Sequence, residues 1–307
     1  MQQPTEIDVD SETPAMKRAA KRSTLVSVGV NLALTAAQLV AGVLAHSQAL
    51  IADAIHSLSD LVSDFVVLFA GHHSQKGPDA EHHYGHLRFE TAASLVLGLL
   101  LLAVGIGMLW NSVTKLEHPE SISQVKLIGL WVALGALVSK ELLFRYMLAV
   151  AERVRSSMLI ANAWHARSDA ASSLVVALGI VGNLLGFPLL DPVAAFVVGL
   201  MVSRMGWQFG SDALHDLMDR AVDEETATEI REVILGTPGV LGVHDVRTRK
   251  MGDMILVDAH LEIAGSATVK VGHDIALEAR RRVLERRDVL NVMTHVDPVV
   301  ELPPGTS

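Results

Sequence analysis

The chain has 307 residues, half of them hydrophobic, with a net charge of −9 and no cysteine. The acidic balance argues against a nucleic-acid partner. The missing thiols exclude disulfides and thiolate metal sites, so any metal must be held by His, Asp or Glu. Fourteen histidines, clustered rather than scattered, point to metal or proton chemistry.

Residues 1–15 are polar and acidic and read as a disordered tail with no cleavable signal peptide. Six apolar runs follow, near 24–45, 48–70, 91–114, 125–147, 158–185 and 190–208. Each approaches the ~20 residues that a membrane-spanning helix needs, which predicts a six-helix membrane domain over 16–210. Lys17, Arg18, Lys21 and Arg22 precede the first run. Lys76 and Arg88 link the second to the third, and Arg153 and Arg155 link the fourth to the fifth. The alternate links, Ala45 to Gln48, Glu117 to Ser123 and Gly186 to Leu190, hold no Lys or Arg. That asymmetry places both termini in the cytoplasm.

After Gly210 the pattern becomes that of a soluble domain, 211–298. Glu224 to Leu235 suits an amphipathic helix, closed by Thr237-Pro238-Gly239. Val240 to Lys250 and Met254 to Ile263 read as strands joined at Gly252-Asp253. Val269 to Arg287 reads as a second helix and Val289 to Val296 as a third strand, with a disordered tail over 299–307. This is a small α+β domain of ferredoxin-like type.

The second and fifth runs echo each other. One holds Asp53-Ala54-Ile55-His56-Ser57-Leu58-Ser59-Asp60 and the other Asn162-Ala163-Trp164-His165-Ala166-Arg167-Ser168-Asp169. In each, His and Asp stand four apart, on one helix face. An ionisable side chain at mid-span costs at least ~2.5 kcal/mol, so four of them need compensation. If the two helices face each other, His56, Asp60, His165 and Asp169 can surround one ion with two nitrogens and two oxygens. That set suits tetrahedral Zn²⁺ or a neighbour such as Fe²⁺ or Co²⁺. Asp53 and Asp64 lie on or near the same stripe, as relay positions, outer partners or the lining of a wet cavity.

These residues resemble the cation diffusion facilitator family, closest to the bacterial zinc/iron efflux members of the YiiP (FieF) type, which implies a metallochaperone-like cytoplasmic domain. The resemblance implies a homodimer, formed through the cytoplasmic domain and membrane helices within a bacterial inner membrane, that exchanges divalent metal for protons. Its transport ligands fall on His56, Asp60, His165 and Asp169. One position departs: the YiiP type carries Asp where this chain has His56, as the eukaryotic zinc transporters do not. Asp79-Ala80-Glu81-His82-His83-Tyr84-Gly85-His86 gathers three imidazoles and two carboxylates in eight residues. It resembles the family's metal loop, which implies Asp79, His82 and His86 as ligands, with His83 an extra candidate. His244, His260, His273, His295 and Asp297 together resemble the family's cytoplasmic binuclear site, a regulatory one. Arg88 and Asp219 match a charge pair that joins the two domains. The competing class is a membrane metal sensor or storage protein that does not translocate.

Overall fold

The computed structural model describes residues 14–74, 76–154 and 157–299. The expected tails lie mostly outside them. Six long helices come first: α1 (Pro14–Ala45), α2 (Gln48–Ser74), α3 (Arg88–Glu117), α4 (Leu127–Val154), α5 (Ser157–Leu184) and α6 (Leu190–Leu217). The smaller elements follow as α7 (Glu224–Leu235), β1 (Gly242–Met251), β2 (Met254–Ala264), α8 (Val269–Val283) and β3 (Val289–Val299). Among the described residues, four helical segments are long and apolar enough to cross a membrane: Leu25–Ala45, Arg88–Glu117, Leu127–Arg153 and Leu190–Leu217. The echo motifs lie on α2 and α5. The described residues divide into two compact units. One runs to Phe65 and includes Leu99–Trp207, and the other holds Val66–Gly98 and the residues from Gln208 on. The second unit thus takes in the 66–98 segment, which the sequence assigns to the membrane domain.

In the first unit, small and branched side chains make the core: Ala41, Ala45, Ala49, Leu50, Val176, Ile180, Val198 and Val202. The reverse faces stay apolar, with Trp110, Trp131 and Trp207 more than half exposed. An exposed apolar surface of this kind demands a partner, and a lipid phase supplies one. Small residues let helices approach closely. A Cβ on Gly105 of α3 would collide with the Ser203 Oγ of α6. One end of the bundle is pinned by polar contacts. Asp191, 2% exposed, accepts from the Ser47 hydroxyl and from the backbone N–H of Gln48 at 2.7 Å, capping the start of α2. The Asn183 amide oxygen accepts from the N–H of Val125 at 2.9 Å, and the N–H of Lys126 bonds the Ala45 carbonyl at 3.1 Å. Lys126 and Lys115 flank the links at this end, so the charge asymmetry is weaker than the links alone suggest.

In the second unit, three strands run in the order β1-β2-β3, the first pair antiparallel and the second parallel. A parallel pair needs a crossover, and α8 supplies it. Asp223 caps α7 by accepting from the N–H of Thr226, and Thr268 caps α8 from Val271. Gly252, at φ +63°, makes the tight β1–β2 turn. Ile230, Ile234, Val257, Leu261, Ala279 and Val283 fill the core between helices and sheet. The third strand extends past the expected Val296. Pro298 and Val299 pair with Ile263 and Ala264.

Candidate metal centres

The first centre lies between α2 and α5. A ligand atom from each of His56, Asp60 and Asp169 lies within 4.8 Å of the others. His56 is 6% exposed, and its Nδ1 stands 3.6 Å from Asp60 Oδ2. That nitrogen is buried and has no hydrogen-bond partner. A buried polar atom left unpaired is costly; here it stands beside the Asp60 carboxylate, as a ligand to a cation would. His165, one turn before Asp169, is exposed and is not in this trio. Its neighbour Arg167 lies over the rings of Phe144 and Trp164, at 5.0 and 5.1 Å. The side chain of Asp64 lies outside the described residues.

Asp53 is no ligand of this trio. It is fully buried and ion-pairs with Lys140 of α4, whose Nζ lies 3.5 Å from Asp53 Oδ2. The ammonium also donates to Ser173 Oγ at 2.8 Å, Ser57 Oγ at 3.1 Å and the Asp169 carbonyl at 3.5 Å. Asp53 accepts in turn from Gln38 Nε2, from Ser173 Oγ at 2.7 Å and from Ser172 Oγ at 3.1 Å. The sequence reading missed Lys140. Its signal was an ionisable residue inside an apolar run; its partners come from two other helices, α2 and α5, and have no spacing to reveal them.

The second centre is the loop between α2 and α3. Asp79, His82 and His86 place ligand atoms within 4.8 Å of one another, with the two rings 4.5 Å apart. The loop builds this itself. Asp79 Oδ1 accepts from the N–H of His82 at 2.8 Å and of Glu81 at 3.0 Å, a turn closed by an Asp side chain. Gly85, at φ +83°, then swings the chain so that His86 returns to 3.5 Å from Asp79. The Lys76 ammonium, with the backbone N–H groups of His82 and Glu81, holds the Asp79 carboxyl below the usual range. It is therefore an anion, as a ligand must be. His83 is outside the trio and lines a cavity of about 470 Å³ with Arg88 and Arg249. Arg88, at the start of α3, forms an ion pair with Asp219 just past α6 and reaches the Leu217 carbonyl at 3.5 Å. Asp219 itself sits at φ +60°.

The third centre is on the sheet. His244 pairs in register with His260, and His260 with His295, so the three imidazoles form one row across the strands. Their ring centroids are 5.1 and 4.8 Å apart. Asp297, two residues on, returns to the same face. Its Oδ2 is 3.0 Å from His260 Nδ1 and 3.2 Å from His244 Nε2, and its Oδ1 is 3.3 Å from His295 Nε2. Burial pushes the Asp297 carboxyl up, but the His260 hydrogen bond and the charges of His295, His260 and His244 outweigh it and hold the group low. Asp245, at φ +46° in a bulge after His244, also comes within ligand distance of His244 and His260. The sequence reading did not single it out, because a bulge cannot be seen before the strands are paired. His273 is exposed on α8 and lines a separate cavity with Thr268, Ala276 and Thr294. Within one chain it does not join the row.

The description "Cation efflux transmembrane domain" fits residues 24–218, and "Cation efflux protein, cytoplasmic domain" fits residues 222–299. Metal tolerance protein C1 of Arabidopsis thaliana is 34% identical over 87% of this chain, which spans 60% of that protein's length. Manganese efflux system protein MneS of Bacillus subtilis is 32% identical over 92% of this chain and 97% of its own. Magnetosome protein MamB of a Magnetospira strain is 33% identical over 88% and 92%. Among solved structures, the metal-bound C-terminal domain of the CzcD transporter from Thermotoga maritima is 28% identical, with a TM-score of 0.24, over 24% of this chain and 90% of that one. The chain belongs to the cation efflux family: it is a membrane transporter of divalent metal cations and not an enzyme.

Proposed function

We propose that the protein is a homodimeric antiporter that expels Zn²⁺ from the bacterial cytoplasm in exchange for protons. All six long helices span the inner membrane in this reading, with both termini inside. The observation that carries it is the trio of buried His56 with half-buried Asp60 and Asp169, in which an unpaired imidazole nitrogen stands 3.6 Å from the Asp60 carboxylate. His165, one turn away on α5, is the fourth ligand once the ion is present. Imidazole binds metal only when neutral, so a proton and a metal ion compete for the same nitrogen. That competition is the coupling. The loop trio captures or senses metal at the cytoplasmic mouth. The sheet cluster regulates, since metal there stabilises whichever state binds it.

The second reading is Mn²⁺, favoured by the resemblance to a manganese efflux protein along nearly its whole length. A trio of one nitrogen and two oxygens, without His165, is also the harder donor set, which suits Mn²⁺. Flux into proteoliposomes with Zn²⁺, Fe²⁺, Co²⁺, Mn²⁺ and Cd²⁺ decides. The proposal expects Zn²⁺ fastest, Fe²⁺ and Co²⁺ slower and Cd²⁺ poor. His56→Asp should raise Cd²⁺ flux relative to Zn²⁺, because a carboxylate can shift between one- and two-point contact to suit a larger ion. Mn²⁺ as the fastest ion would establish the second reading. Equal Zn²⁺ and Cd²⁺ flux, unchanged in the variant, would show that His56 does not set selectivity.

A further inference from the structure

We infer that Lys140 and Asp53 form the outer gate of the transport path, a buried ion pair that a metal ion must open to leave the site. The inference rests on the transport reading. At 3% and 0% exposure the two side chains are as buried as the core. Their contacts draw on four helices: Gln38 of α1, Asp53 and Ser57 of α2, Lys140 of α4, and Asp169, Ser172 and Ser173 of α5.

Position makes this a gate and not only a pin. Asp53 precedes His56 by three residues on α2, so it lies about 4.5 Å nearer the 45–48 end at ~1.5 Å per residue. Ser173 follows Asp169 by four on α5, which runs the other way, so it too is displaced toward that end, by about 6 Å. The network therefore forms a layer between the His56, Asp60 and Asp169 trio and the 45–48 end. Beyond that layer lies a cavity of about 300 Å³ lined by Gly42, His46, Ser47, Ser123 and Asp191.

Charge makes the layer selective. An ammonium beside the path repels a divalent cation, and in a low-dielectric interior that repulsion is weakly screened. Splitting the pair would strand a buried charge, so the pair stays closed unless another arrangement satisfies both groups. The Lys140 contact with the Asp169 carbonyl ties the gate to a ligand-bearing turn, so a shift of α5 at the metal reaches the pair directly.

The chain has no cysteine, so a single introduced thiol reports without background. Ser59→Cys places one beside Asp60, and Ser123→Cys places a control in the outer cavity. In proteoliposomes, a membrane-impermeant thiol reagent on the 45–48 side should label the control rapidly and Ser59→Cys slowly. Adding Lys140→Met with Asp53→Asn removes both charges together. Labelling of Ser59→Cys should then rise about tenfold, as when a minor open state becomes the main one, with the control unchanged. Metal binding should persist. Unchanged labelling of Ser59→Cys, or loss of metal binding along with the gate, would overturn the inference. If that double variant does not fold, Ser57→Ala with Ser173→Ala strips the ammonium of its hydroxyl partners while keeping both charges. Labelling should again rise, and no rise would overturn the gate. Absence of metal flux in the otherwise unaltered protein would instead sink the transport reading, whatever the labelling pattern.

Discussion

Asp60→Ala or Asp169→Ala should abolish metal flux while the protein remains folded. Each removes one oxygen from a group of three ligand atoms within 4.8 Å. The loss should exceed the roughly 10–100-fold that removing even an outer partner of a metal ligand costs. Folding should be spared for the same reason that the site is costly to build. A carboxylate at mid-span is unfavourable unless compensated, so alanine relieves a burden. Flux assays beside thermal unfolding separate the two effects. Wild-type flux in either variant would move the transport site elsewhere.

Asp297→Ala should have the second-largest effect, confined to the cytoplasmic domain. Asp297 stands within 3.3 Å of all three imidazoles in the row. Its removal should weaken metal binding there by at least about 10–100-fold and leave the membrane centre able to bind. Equilibrium dialysis of the full chain, counting ions bound per chain, checks this; loss of all bound metal would show that the centres are misassigned. The pH dependence follows from the same geometry. The carboxyl is held low, so its contribution to stability is present above the ordinary ~3.9 of an unfolded Asp and lost only as pH falls through the lower folded value. It stays anionic across pH 5–8. Imidazole binds metal only when neutral, so metal and protons compete at the row, and binding should weaken as the solution is made more acidic.

The sequence made the echo motifs legible because they are local. His and Asp four apart on a helix share a face whatever the helix packs against. The loop trio is legible for the same reason, since its turn is closed by its own Asp79. Helix α7 runs from Glu224 to Leu235 as expected, because Asp223 caps it and Thr237-Pro238-Gly239 ends it. What depends on distant partners was not readable. The continuation of β3 through Pro298 is set by β2 alongside it. The row of His244, His260 and His295 needs the strand register, which the bulge after His244 shifts. His165 and His273 carry the right chemistry but are exposed and lie outside the groups of close ligand atoms, and spacing along one helix cannot say which face a neighbour covers. Lys140 is the extreme case, an obvious charge whose meaning lies in side chains from two other helices.

The most direct test of the account is metal flux in proteoliposomes under an imposed pH gradient. With protons directed toward the cytoplasmic side, metal should move the opposite way, against its own gradient, and reversing the pH gradient should reverse the metal. Flux that ignores both the sign and the size of the pH gradient would contradict metal/proton antiport.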